Sequence, residues 1–200
     1  MTVIGLCGGS GSGKSTVLKL LTAYNIFPIN TDEIYHKLTS SPSLCLDELR
    51  SEFGDSIISA DGTLDRKRLA DIVFSNKEKL SRLNTISHYH VLCEVRLLID
   101  TARNNGYDGV AIDAPLLFES GFHKECDVVV AVIADEAIRV ERIIMRDSIT
   151  PEAAKKRIAS QLSNDYLRTH ADYIITNNGT EQELIGNVEN TWTRIKNNKK

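Results

Sequence analysis

The sequence predicts an α/β protein, a five-stranded parallel sheet flanked by helices, with a helical subdomain and a lid. Three observations predict it. Short apolar, β-branched runs recur, and most are followed by a segment with helical spacing. These runs are apolar throughout rather than alternating, as strands buried on both faces are. Residues 41–106 hold no such run and are rich in helical spacing, so they read as an insertion beside the sheet.

The elements follow in order. "TVIGLC" (residues 2–7) is a buried strand, and Val17, Leu18, Leu20 and Leu21 place a helix over residues 14–24. "FPIN" (27–30) is a second short strand. Ser75 and Glu78 fit an S-x-x-E capping box opening a helix whose stripe runs through Leu80, Leu83, Val91, Val95, Leu98 and Ala102. "NNG" at 104–106 stops it. "GVAID" (109–113) and "DVVVAVI" (127–133) are buried strands, with a helix expected over 135–146. Thr150 and Pro151 supply an N-cap and a first-turn proline for the next helix. "DYIIT" (172–176) is the last strand, "NNG" a turn, and the rest a surface helix with a Lys/Asn-rich tail. The whole chain reads as one domain: a core over about 1–40 and 107–200, an insertion over 41–106, and a lid over 139–165.

Bulk properties narrow the function. The net charge of −3 gives no general attraction to nucleic acid or anionic membrane, so an anion must be held by a local site. No apolar run approaches the ~20 residues of a membrane span, and the first residues lack the basic flank of a signal peptide. Four scattered cysteines form no C-x-x-C pair and no disulfide framework. A cytoplasmic protein with reduced thiols is expected, either a monomer or a small homo-oligomer.

"GGSGSGKS" (8–15) fits G-x-x-x-x-G-K-[ST] between a strand and a helix, where the mechanism of a P-loop needs it. Its glycines let backbone N–H groups turn toward phosphate oxygens, and the helix N-terminus adds positive potential. Lys14 would reach the terminal phosphates of a nucleoside triphosphate, and Ser15 would hold Mg²⁺. A plain flexible turn is the alternative, and the strand–turn–helix context argues against it.

Two carboxylates stand out. Asp113 ends a strand, as a residue that orients Mg²⁺ through water would, or as a simple turn residue would. Asp32 follows the second strand, where it can accept a hydroxyl proton from a phosphoryl acceptor or cap a helix. Arg139, Arg142 and Arg146 share a helix face and suit a lid that neutralises transferred phosphoryl charge. A solvated face paired with Glu136 and Glu141 is the competing reading for Arg139. His36 shares the face of Asp32, and no histidine set has zinc-site spacing. Tyr24, Tyr89, Tyr107 and Trp192 read as packing residues.

The motifs together resemble the dephospho-CoA kinase family over nearly the whole length. The resemblance rests on "GLCGGSGSGKST", "TDEIYH", "LDRKRLADIVFSN" (64–76), "LNTISH" (83–88), "DAPLLFE" (113–119), "RIIMRD" (142–147) and "ADYIITNNG" (171–179). It implies a P-loop kinase fold and ATP-dependent phosphorylation of the ribose 3′-hydroxyl of dephospho-CoA, the last step of coenzyme A biosynthesis. It further implies that Gly11, Ser12, Gly13, Lys14, Ser15, Thr16 and Asn177 bind ATP. Asp32 becomes the base, and Arg142 and Arg146 join Lys14 in catalysis. Asp32, Arg66, His88, Asp113 and Leu116 become substrate contacts, with Ser15 and Asp113 (via water) at Mg²⁺. Three positions depart from the family pattern. Asn30 stands where the family has a first aspartate, Tyr89 replaces a proline, and Arg139 replaces a glutamine.

Other kinases of this fold share the P-loop, and "DAPLLFE" separates them from the CoA enzyme. A GTP switch would carry N-K-x-D, and "NKEK" (76–79) lacks its final aspartate. A degenerate, inactive homologue is opposed by intact Lys14, Ser15, Asp32 and Asp113.

Overall fold

The computed structural model describes residues 1–198. Five strands form one all-parallel sheet: β1 (Thr2–Cys7), β2 (Ile26–Asn30), β3 (Gly109–Asp113), β4 (Val128–Ile133) and β5 (Tyr173–Thr176), in the order β2-β3-β1-β4-β5. Every residue of β1, β3 and β4 is buried. Leu6 registers against Asp113, and Cys7 against Ala131.

Nine helices accompany the sheet among the described residues: α1 (Lys14–Leu21), α2 (Thr31–Thr39), α3 (Leu44–Phe53), α4 (Arg66–Val73), α5 (Lys77–Asn104), α6 (Glu136–Asp147), α7 (Pro151–Ala159), α8 (Asn164–His170) and α9 (Glu181–Asn197). None is long and apolar enough to cross a membrane.

The chain divides into two compact units, one formed by residues 1–29 with the segment from 101 onward, the other by residues 30–100. In the first unit, Ile4, Leu6, Ala111, Val130 and Val132 of the sheet pack with Val17, Leu18 and Leu21 of α1 and with Leu184, Val188, Trp192 and Ile195 of α9. α9 is the surface helix the sequence suggests, with one face buried in this core. Its polar termini hid an apolar stripe at i, i+4, i+8 and i+11. Burying each of its aliphatic side chains contributes roughly 1.5–3 kcal/mol. Thr180 and Glu183 close a reciprocal capping box at its start.

The second unit has its own core of Cys45, Leu46, Leu49, Ile57, Leu64, Leu69, Val73 and Ile86. α2 belongs to this unit. The reason is local: the Thr39 carbonyl accepts from Leu64 N at 2.9 Å, and Leu38 packs on this core. The predicted Ser75–Glu78 capping box does not form. Asn76 caps α5 instead, its Oδ1 accepting from Glu78 N at 2.9 Å and Lys79 N at 3.1 Å. One residue closer to the helix, Asn76 reaches the same orphan N–H first.

The topology fixes where a ligand can sit. β1 sends its chain toward β2, and its neighbour β4 sends its chain toward β5 on the other side. Such a switch point opens a crevice at the carboxyl ends of the two strands. β1 ends there in the glycine-rich loop, and β4 ends there at α6.

Candidate functional site

At the carboxyl end of β1 the chain turns through Gly8–Gly13 and enters α1 at Lys14. Lys14 Nζ donates to Asp113 Oδ1. Asp113 is 5% exposed, and its register opposite Leu6 brings its carboxylate beside the loop. Asp113 is thus an ion-pair partner at the loop, not a turn residue. Ser15 and Thr16 lie exposed in the first turn of α1.

Three consecutive loop carbonyls are held by side chains from elsewhere in the same unit. Arg139 Nε donates to Ser10 O at 2.9 Å, Arg142 Nη1 to Gly11 O at 3.2 Å, and Asn177 Nδ2 to Ser12 O at 2.8 Å. In a trans peptide the N–H points opposite the C=O. Fixing a carbonyl on one side therefore fixes the direction of the next residue's N–H, the group a P-loop uses to hold phosphate.

Arg139 corrects the sequence reading. It does not lie on a solvated face; it is 4% exposed, and its Nη2 donates to Gln161 Oε1 at 3.2 Å. Burial pushes its pKa below the ordinary arginine value, with the nearby Glu136 acting the other way. Arg142 also donates to Asn177, through Nη1 to the backbone carbonyl at 3.1 Å and Nη2 to Oδ1 at 3.4 Å. Arg146 lies apart from these two. It is exposed and forms a two-pronged pair with Asp147, at 2.7 and 2.9 Å. Arg157 donates to the same carboxylate. The hydrogen bond from Arg146, supported by Arg157, lowers the Asp147 pKa to about 2.

Asn177 is 7% exposed and braces the loop rather than lying open. It also lines a cavity of about 320 Å³ with Asn178, Gly179 and Leu184. A second, smaller pocket of about 110 Å³ lies against Gly8 and Gly9, walled by Leu116, Phe118, Gln161 and Leu167. Leu116 is 46% exposed. A larger cavity of about 390 Å³ is lined by Thr2, Asp127 and Asp172 at the amino ends of the strands, away from the switch point. There Asp127 and Asp172 accept from Val3 N and Val129 N, each at 2.7 Å, and so cap strand starts.

In the second unit, Asp32 is exposed in the first turn of α2. It does not cap that helix. Asn30 does, accepting from Asp32 N at 3.0 Å and Glu33 N at 3.3 Å. Arg66 donates to Thr39 Oγ1 at 2.8 Å and lies 5.3 Å over the Tyr35 ring. His88 is half-buried on α5. His36 meets Ser40 Oγ at 3.2 Å. Tyr89, expected to pack, is 62% exposed. Among the described residues no group of three or more His, Cys, Asp or Glu is placed to hold a metal.

Sequence reasoning missed Gln161 and Tyr35, and left Arg139 open between a lid face and a solvated face. Gln161 Oε1 accepts from Ser10 N at 2.9 Å. No local pattern marks a contact so distant in sequence.

Comparisons with known proteins identify the family. The family model described as dephospho-CoA kinase matches residues 2–183. A Fusobacterium nucleatum protein named dephospho-CoA kinase is 43% identical over 188 residues, covering 94% of this chain and 95% of that protein. The crystal structure of TT1252 from Thermus thermophilus superposes with a TM-score of 0.82 at 28% identity, covering 97% of each chain. Dephospho-CoA kinase from Campylobacter jejuni superposes with a TM-score of 0.69 at 25% identity, covering 96% of each chain. With the P-loop, its lysine and the carboxylate beside it all inside the matched region, the chain belongs to the dephospho-CoA kinase family.

Proposed function

We propose that this protein transfers the γ-phosphoryl group of ATP to the ribose 3′-hydroxyl of dephospho-CoA, giving CoA and ADP. The observation that carries the reading is the family match over residues 2–183, which contains the whole P-loop and the Lys14–Asp113 pair.

The P-loop N–H groups and Lys14 hold the phosphates of ATP. Ser15 and Asp113 offer a hydroxyl and a carboxylate oxygen, a hard donor set that fits Mg²⁺ shared with phosphate and water. When bound, that ion supplies positive charge to the β- and γ-phosphates. Asn177 and its loop border the space for adenine. Dephospho-CoA meets Arg66, His88, Asp113 and Leu116. Asp32 follows β2 at its carboxyl end and takes or orients the proton of the 3′-hydroxyl. The phosphoryl group then passes through a loose transition state whose charge is met by Lys14 and by Arg142 and Arg146 of a lid over residues 139–165. Lid closure excludes water and so suppresses ATP hydrolysis. Four free cysteines suit a reducing compartment, and the proposed location is the cytoplasm.

The test is a coupled ADP-release assay with ATP and Mg²⁺, with and without dephospho-CoA, and with adenosine and AMP as rival acceptors. Release that requires dephospho-CoA and yields CoA is expected. Release with a nucleoside or nucleotide instead would keep the P-loop reading and overturn the acceptor.

A further inference from the structure

We propose that Arg139 and Gln161 form a positioning clamp on Ser10 that sets the shape of the P-loop for nucleotide phosphates. The two side chains take all three polar handles of Ser10. Arg139 Nε donates to its carbonyl at 2.9 Å, Gln161 Oε1 accepts from its N–H at 2.9 Å, and Gln161 Nε2 donates to its hydroxyl at 3.1 Å. Arg139 Nη2 also donates to Gln161 Oε1 at 3.2 Å, so the two residues hold each other as well as the loop.

The packing around the clamp is equally close. A Cβ on Gly9 would overlap the Arg139 guanidinium, its Cζ lying 2.9 Å away. A Cβ on Gly11 would meet the Arg139 carbonyl oxygen at 2.7 Å and its Cα at 3.0 Å, and Gly11 has a φ of +77° that side chains avoid. Two of the loop's glycines therefore answer to Arg139 as well as to phosphate. The loop is seated directly on α6 at this residue.

The direction of the effect follows from peptide geometry. With the Ser10 carbonyl pinned toward Arg139, the Gly11 N–H is aimed the opposite way. A P-loop binds through the aim of such groups, fixed before the ligand arrives. A buried guanidinium is costly to keep unless it is hydrogen-bonded, and here Nε donates to the loop and Nη2 to the residue that holds the loop. Gln161 lies in the segment between α7 and α8, inside the range assigned to the lid. The clamp thus ties that segment to the loop that carries the phosphates.

The proposal rests on the P-loop as the phosphate site, and the experiment separates the two. Calorimetric titration with ADP and Mg²⁺, and KM for ATP and for dephospho-CoA, are measured on the full chain with Arg139→Ala, Arg139→Lys, Gln161→Ala and the Arg139→Ala/Gln161→Ala pair. Lys14→Ala serves as the control. Arg139→Ala and Gln161→Ala should each weaken ADP and raise KM for ATP by about 10-fold, with KM for dephospho-CoA within about 2-fold. Arg139→Lys should recover part of the loss. The double variant should resemble the worse single one, because partners in one unit are not additive. A folded Arg139→Ala with KM for ATP within about 2-fold of normal overturns the clamp, as does an equal loss for both substrates or a multiplicative double. If Arg139→Ala does not fold, Gln161→Ala decides alone, by the same split between the two KM values. If Lys14→Ala leaves ADP binding intact, the P-loop reading itself fails.

Discussion

The Arg142 guanidinium and the Asn177 backbone carbonyl meet at 3.1 Å, and the same Nη1 reaches Gly11 O at 3.2 Å. One arginine therefore bridges the loop after β1 and the loop after β5. Arg142→Ala leaves both carbonyls without this donor, a loss of about 1–3 kcal/mol when such groups are buried. The expected result is a lower melting temperature together with a raised KM for ATP. A fall in kcat with KM and melting temperature unchanged would instead put Arg142 at the transition state alone.

Lys14 and Asp113 are each largely buried, with side chains 14% and 6% exposed. Lys14→Ala should reduce kcat by at least ~10²-fold, because a preorganised positive charge at the phosphates is lost. It also removes the lysine from a buried carboxylate, which destabilises such pairs by about 3–5 kcal/mol. Steady-state rates and urea denaturation on the same preparation read both effects. Retained turnover would sink the assignment of Lys14 to the phosphates.

The division between legible and illegible residues has a physical pattern. β1, β3 and β4 were legible because strands buried on both faces are apolar throughout. The P-loop was legible because its glycines and lysine lie in consecutive positions between a strand and a helix. The i, i+3, i+7 spacing of Arg139, Arg142 and Arg146 showed a shared face but not which way it turns. Two of them reach loop carbonyls, while Arg146 pairs with Asp147. Gln161 meets Ser10 across 151 positions, and nothing local announces that contact. Asn30 reads as a lost carboxylate in sequence and as a helix cap in structure, since asparagine and aspartate cap equally well.

Asp32→Asn should depress turnover by about 10²–10⁴-fold if the carboxylate serves as base. ATP affinity should change little, because the substitution leaves the P-loop and the Asn30 cap in place. Pre-steady-state phosphoryl transfer with saturating dephospho-CoA isolates the chemical step. Near-normal transfer would remove Asp32 from the base role.

Asn30→Ala should cost about 1 kcal/mol, because its Oδ1 alone satisfies the N–H groups of Asp32 and Glu33 in the first turn of α2. Asn30→Asp keeps that acceptor and adds charge where a helix N-terminus favours it. Its melting temperature should match or exceed that of the original chain. An Asn30→Ala variant as stable as the parent would show that α2 does not depend on this cap.

Three thiols should make stability fall at alkaline pH. Burial raises Cys7 to about 12 against the pull of Lys14, Cys45 to about 11 with help from Glu48, and Cys126 to about 12 with help from Asp127. An unfolded thiol titrates near ~8.5. Above that pH the unfolded chain has released protons that the folded chain still holds, so unfolding becomes easier as pH rises. The stabilisation is complete below about pH 8.5 and is lost progressively toward the folded values, by up to about 1.4 kcal/mol per pH unit for each thiol. Tyr35, also raised by burial, adds a similar loss at the upper end. Urea midpoints at neutral pH and at successive points above pH ~9 give the slope. Cys45→Ala opens a cavity and lowers stability at every pH, yet it should make the alkaline slope shallower, since one of the retained protons is gone. A slope identical in Cys45→Ala and the original chain would mean that this thiol ionises as readily folded as unfolded.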